Sequence, residues 1–302
     1  MISPLQHEIN ETSANGGGTV FLDSMTVSQF VTLPENIELQ GKHPFVVIKA
    51  DDNFSASTLS GMRPAMFVSE GTQNIKMKNL IIDANGANQQ GRLCGVCIQD
   101  ATDVEISDVI VKNAGAEGSR ESQSVWIRNS SRIRVHNLIE ENCDGITVSM
   151  SNDFEVSDCK SFDSSSEGIF IGASSKGSVS NNYITRAKGA GISVTGSGGL
   201  TSDVIVIGNQ THECGQSTLD QSDNPTSAVF NGISIGQNVS DIVISSNIST
   251  NNFKSGIGVN TGSRITVVGN ITKNNALSGF RQEQSTDVVL AGNFFPDGNQ
   301  TT

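Results

Sequence analysis

A glycine followed by an apolar–polar–apolar alternation recurs along this 302-residue chain, and no other feature limits its folding as strongly. The copies read CDGITVSMSND, SEGIFIGASSK, GAGISVTG, FNGISIG, KSGIGVN and LSGFRQE. Aligned on the apolar residue after each glycine, or on its equivalent, Met66, Val96, Val125, Ile146, Ile169, Ile192, Ile233, Ile257 and Phe280 form one column. Its steps are 21 to 30 residues, with a single step of 41. Eight or nine residues beyond most anchors a second strand begins, at Ile75, Val104, Ile133, Phe154, Ile242, Ile265 and Val288. Gly177 and Val204 hold that place in two further copies. Both strands alternate with period 2, and no segment sustains a helical period. A helix-free unit of about 22 residues cannot bury its apolar face alone, but stacked on its neighbours it forms a continuous core. The expectation is an all-β chain folded as a parallel β-helix of about nine coils, filling residues 1–302 as one domain. Residues 1–60 form its opening cap, with NGGGTVFL, VTLPENIEL and FVVIKA as short strands.

A second register supports the stack. Asn182, Asn209, Asn247, Asn270 and Asn293 recur five residues past the second-strand anchor in five consecutive coils. Stacked amides bond along the axis and satisfy turn groups that would otherwise be buried unpaired. Asn209, Asn247 and Asn270 also begin N-x-[ST] sequons, but a buried ladder amide is closed to glycosylation.

Composition narrows the function. A net charge of −12 argues against nucleic acid and anionic membranes as partners. No run reaches the ~18 apolar residues of a membrane span. The opening MISPLQHEINET lacks the basic and apolar regions of a signal peptide. The five cysteines are an odd number, and Cys94 and Cys97 have no second pair at zinc spacing, so buried free thiols are the expectation.

The informative variation lies before the repeated glycine, where Asp144 and Glu167 are followed in later copies by Ala190, Asn231, Ser255 and Ser278. Successive coils rise roughly 4.8 Å, so the two carboxyl groups fall near the ~5–5.5 Å separation of retaining glycosidase pairs, and splayed rotamers reach the inverting separation. The competing reading is a turn residue before glycine. Alternation turns Trp126, Arg128, Thr147, Phe170, Arg281 and Glu283 outward from the first sheet, with Trp126 and Phe170 as exposed platforms for sugar rings. Phe67 is also assigned outward there, beside the inward Met66. Insertions before Val96, Val125 and Ile233 fall at one turn and would wall a groove on this face. The longest carries His212, a candidate substrate contact, and Asp220 and Asp223, candidate Ca²⁺ ligands.

With these residues the chain resembles the pectate-lyase-like superfamily of right-handed parallel β-helices over essentially its whole length. The opening NGGGTVFL…VTLPENIELQG looks like the cap of its polysaccharide enzymes. Polygalacturonase-like hydrolases carry N-T-D-G, D-D, G-H-G and R-I-K on successive coils. Here NCDG places Asp144 in the first, SSEG places Glu167 in the second, GAG has Ala190 for the histidine, and the Arg–Lys pair is absent. Mannuronan epimerases carry Y-G-F-D-P-H and then D-G-F. Asp144 fits the second motif, while QSVWIRN lacks the Tyr, Asp and His of the first.

The resemblance implies a carbohydrate-active enzyme, a glycoside hydrolase or a related polysaccharide lyase or epimerase, with Asp144 and Glu167 as acid and base. Trp126, Arg128, Thr147, Phe170, His212, Arg281 and Glu283 would contact an oligo- or polysaccharide. Two rival classes are a non-catalytic, tailspike-like glycan binder and a β-helix isomerase or cyclase acting on a small metabolite. A homo-oligomer is compatible with each.

Overall fold

The computed structural model describes residues 3–56, 62–89, 91–114, 122–216 and 230–301. Each coil runs through three short strands. The first belongs to an 11-stranded sheet, and the other two belong to a 19-stranded sheet that bends once per coil. All pairings are parallel, and each strand bonds its counterparts one coil before and after. The bends fall on single residues in the left-handed region, such as Asn129, Asn137 and Asn142 in one coil, with φ of 48°, 51° and 54°. Asn, Asp and Gly recur there because their side chains, or lack of one, tolerate that backbone at least cost.

The first column stands as expected from Val96 onward: Val125 pairs with Ile146, Ile146 with Ile169, Ile169 with Ile192, and Ile257 with Phe280. These side chains are at most 1% exposed. Each buried Val or Ile is worth about 1.5–3 kcal/mol, repeated on every coil. The second column also stands, from Ile75 through Val104, Ile133, Phe154, Gly177 and Val204 to Val288.

Two expectations need correction. Phe67, not Met66, pairs with Val96 and occupies the column. The run Ala65–Val68 is apolar and buried throughout, so alternation had no polar residue to fix its phase. A helix, Pro4–Ala14, precedes the first strand. Ser3 caps it by accepting the Gln6 N–H, Pro4 fixes the first turn, and Leu5 and Ile9 close the end of the core. One i, i+4 apolar pair is too little periodicity to announce a helix. The short strands of the opening segment lie in coil register: Gly18–Leu22 pairs with Ile37–Gly41, and Val31 pairs with Phe67.

The asparagine ladder is present. Asn182 donates to Asn209 at 2.9 Å, Asn209 to Asn247 at 3.0 Å, Asn247 to Asn270 at 2.9 Å and Asn270 to Asn293 at 3.0 Å. A second ladder at the next corner escaped the sequence reading: Asn252 donates to Asn275 at 2.8 Å, and Asn275 to Asp297 at 3.1 Å. Cysteines occupy the same corners in earlier coils, where Cys159 N–H bonds Asn182 and Cys214 N–H bonds Asn252. All five thiols are free and buried. Burial pushes those of Cys94, Cys97, Cys159 and Cys214 up to about 12, so they remain protonated at neutral pH.

Candidate functional site

The turn that carries Asp144 is fixed from several sides. Gly145 has φ +87°, and a Cβ there would lie 1.9 Å from the Glu167 carbonyl oxygen, so only glycine fits. Asp144 is 3% exposed. One carboxylate oxygen accepts the Ser122 backbone N–H at 2.5 Å from the preceding coil, and the other accepts the Ser165 hydroxyl from the following coil. The Ile146–Ile169 register sets Glu167 one coil above Asp144 at the equivalent place. Glu167 is half-buried and accepts the Ser166 hydroxyl at 2.5 Å. The two carboxylates are thus neighbours of unequal kind, one locked between coils and one reachable by solvent.

On the outer face of the first sheet, Trp126, Thr147, Phe170, Ser193 and Ser234 follow one another up the stack, and Gly258 and Arg281 continue that column. Trp126 does turn away from the main core, but it is not an open platform. It is 6% exposed, packed with Met62, Ala65, Val68, Cys94 and Cys97 in a second apolar cluster that Phe30 flanks. Its ring is bracketed by guanidinium groups, Arg63 at 5.4 Å and Arg128 at 5.9 Å. Alternation reports which way a side chain points, whereas its cover comes from distant segments. Thr147 is also buried. Phe170 is half-buried and leans over Gly172, where a Cβ would come within 2.5 Å of its ring. Small residues follow, and then Arg281 and Glu283, which form an ion pair with side chains 12% and 14% exposed, before Gln300 continues the column.

His212 lies elsewhere. It closes the strand Gln210–His212 in the 19-stranded sheet, outside the inserted segment proper. Its Nδ1 is 3.0 Å from the Thr250 hydroxyl, and its Nε2 is 3.3 Å from a Glu213 carboxylate oxygen. Asp220 and Asp223 lie outside the described residues. No group of three or more His, Cys, Asp or Glu suited to a metal occurs among the described residues.

The sequence reading missed three features. Arg63 reaches across to donate to Gln123 at 2.9 Å, tying an early segment to the strand before Trp126. Glu140 points into the solenoid beneath the Asp144 turn and is fully buried. Its oxygens lie near the Ser161 hydroxyl and the amides of Cys143 and Gly145 without closing a well-formed hydrogen bond. Burial pushes its carboxyl up to about 8, against the opposing pull of those donors. Aligning the third strand, where Val111 and Ser161 flank Glu140 in register, would have exposed it. Third, an open groove of about 710 Å³ runs outside the second sheet, lined by charges that alternate from coil to coil: Lys76, Glu105, Arg134 and Glu155.

The family described as right handed beta helix region matches residues 46–227. Among curated proteins, none matches the sequence. Solved structures share the architecture at low identity. The A-module of the Azotobacter vinelandii mannuronan C-5 epimerase AlgE6 superposes with a TM-score of 0.62 at 17% identity, over 98% of this chain and 92% of that one. A hyperthermoactive exopolygalacturonase from Thermotoga maritima gives 0.67 at 13% identity, over 97% and 89%. The Dettilon tailspike protein gives 0.63 at 13% identity, with this chain spanning 62% of its length.

Proposed function

The chain belongs to the right-handed β-helix family, and we propose that it is a carbohydrate-active enzyme working on a polysaccharide laid along the outer face of the first sheet. The observation that carries this reading is the adjacency of Asp144 and Glu167 at one turn on consecutive coils, beside Phe170. Side chains that splay apart from coils roughly 4.8 Å apart reach the wider separation of an inverting carboxylate pair, which leaves room for a water between them. The names of the structural neighbours, an epimerase, a polygalacturonase and a tailspike, are compatible with a polysaccharide partner.

In this reading Glu167, the reachable acid, gives its proton to the departing glycosidic oxygen. Asp144 draws a proton from the attacking water through Ser165, whose hydroxyl donates to Asp144 and accepts from the water in the same step. After the product leaves, Asp144 releases its proton to solvent and Glu167 takes one up, which restores both groups for the next turnover. Reducing-sugar release and ultraviolet absorbance across a glycan panel test the class. A hydrolase gives the first alone, a lyase gives both, and a binder gives neither. On an active glycan, Glu167→Gln lowers turnover at least ~10²-fold with binding retained. Unchanged turnover removes the pair.

One observation favours a second reading, a glycan-binding β-helix without catalysis. Both Asp144 oxygens are already held by the protein, as a purely structural turn residue would be. Binding of a glycan with no product from any member of the panel would select it.

A further inference from the structure

The outer face of the 19-stranded sheet changes character along the stack. In the early coils it carries Lys76, Glu105, Arg134 and Glu155. In the late coils the same columns and the next strand carry exposed Ile205 (44%), Ile207 (39%), Ile248 (41%), Ile271 (44%), Val289 (56%) and Phe294 (60%). Ile248, Ile271 and Phe294 are direct neighbours in register, and beside them a second column runs from Ile205 through Val243 and Thr266 to Val289. The corner between the two strands is made of Gly208, Ser246 and Gly269, small residues that leave the patch continuous.

From this surface we infer that the late coils are an interface between two copies of this chain, associating face to face about a two-fold axis. Two arguments select a second copy. The exposed area of these six residues is roughly 500 Å², in the upper part of the range for the largest patch on a monomer and comparable to the apolar centre of the ~800 Å² each partner contributes to a standard interface. The patch also repeats once per coil, and a partner that interdigitates with it needs apolar side chains at the same spacing of roughly 4.8 Å, which a second copy carries. A two-fold axis makes such a patch self-complementary.

Sedimentation velocity on the full chain across the micromolar range tests this. A reversible dimer is expected, strengthened as sodium chloride is raised, because salt screens the repulsion of two acidic chains. Ile271→Glu places an unpaired charge in the interface of both copies and should weaken association at least ~30-fold, the scale of a hot-spot residue. Its far-ultraviolet dichroism and melting temperature should remain those of the parent, because Ile271 lies outside the core. Ile248→Ser repeats the test without introducing a charge, and Arg134→Glu in the early coils should leave the dimer intact. A wild-type chain that stays monomeric overturns the inference. So does a dimer indifferent to Ile271→Glu and Ile248→Ser, an assembly larger than two, or a dimer that dissociates as salt is raised. Phosphatidylcholine vesicles serve as a further arm: a monomer that co-sediments with them through Ile248 and Ile271 identifies a lipid-facing surface and overturns it equally.

Discussion

The same turn, compared in the early and late coils, shows what each part of the stack asks of one position. In the late coils the residues before the repeated glycine are Asn231, Ser255 and Ser278, all at most 2% exposed. They bind coil to coil: the Asn231 side chain accepts the Ser255 N–H at 3.1 Å, and the Ser255 and Ser278 hydroxyls lie 2.8 Å apart. Asp144 makes the same kind of link in the early coils through Ser122 and Ser165. Its burial is therefore what the position requires, and its carboxylate is an accented version of a general device. Glu167 departs from the pattern, because it stands half-exposed and its carboxylate bonds its own neighbour Ser166 rather than an adjacent coil. The interior beneath differs as well. Late coils place Ser249 and Thr272 where the early coil buries Glu140.

The largest effect that sharpens this contrast is at glycine. Gly145→Ala sets a Cβ against the backbone oxygen of Glu167 at a positive φ, and should cost several kcal/mol or abolish folding, read by urea denaturation. Gly256→Ala, at the equivalent late turn, meets the Thr272 side chain at 2.6 Å without a positive φ, and should cost clearly less. Equal losses would show that the early turn is not special.

Next in size is the pH dependence that Glu140 confers. Its folded value of about 8 stands above the ordinary glutamate value of 4.5, so the folded chain holds a proton that the unfolded chain releases between those values. Its contribution to stability is fully present below about pH 4.5 and is lost as pH rises through about 8, over which the drop is on the order of a few kcal/mol. Glu140→Gln should match wild type at pH 4.5 and melt at a higher temperature at pH 8. A constant difference across that range would break the assignment.

Asp144→Ala should cost about 1–3 kcal/mol by leaving the Ser122 N–H unsatisfied, while Asp144→Asn keeps an acceptor and should cost less than half of that. The smallest effect is expected at Asp163, on the surface of the Glu167 coil and paired with Arg186 at 2.6 and 2.8 Å. The pair holds the Asp163 carboxyl below its ordinary value through the Arg186 hydrogen bonds, but both side chains are nearly half exposed. Asp163→Asn should shift stability by less than about 1 kcal/mol.

Much of this architecture was legible in the chain itself. The Ile146–Ile169–Ile192 column, the second-strand column and the ladder from Asn182 to Asn293 each repeat one residue type at one place per coil. Parallel stacking in register turns that one-dimensional period directly into contacts. The site was legible only as directions and neighbours: which residues point outward, and that Asp144 and Glu167 share a turn. Whatever depended on a partner outside the repeat had to come from the tertiary structure. The phase of Ala65–Val68 is set by Val31 and Val96, the cover over Trp126 is supplied by Met62 and its surroundings, and the reach of Arg63 to Gln123 crosses 60 residues. Alternation fixes the side of the sheet on which a side chain lies. Its exposure is fixed by packing between segments far apart in sequence, and no local pattern encodes that.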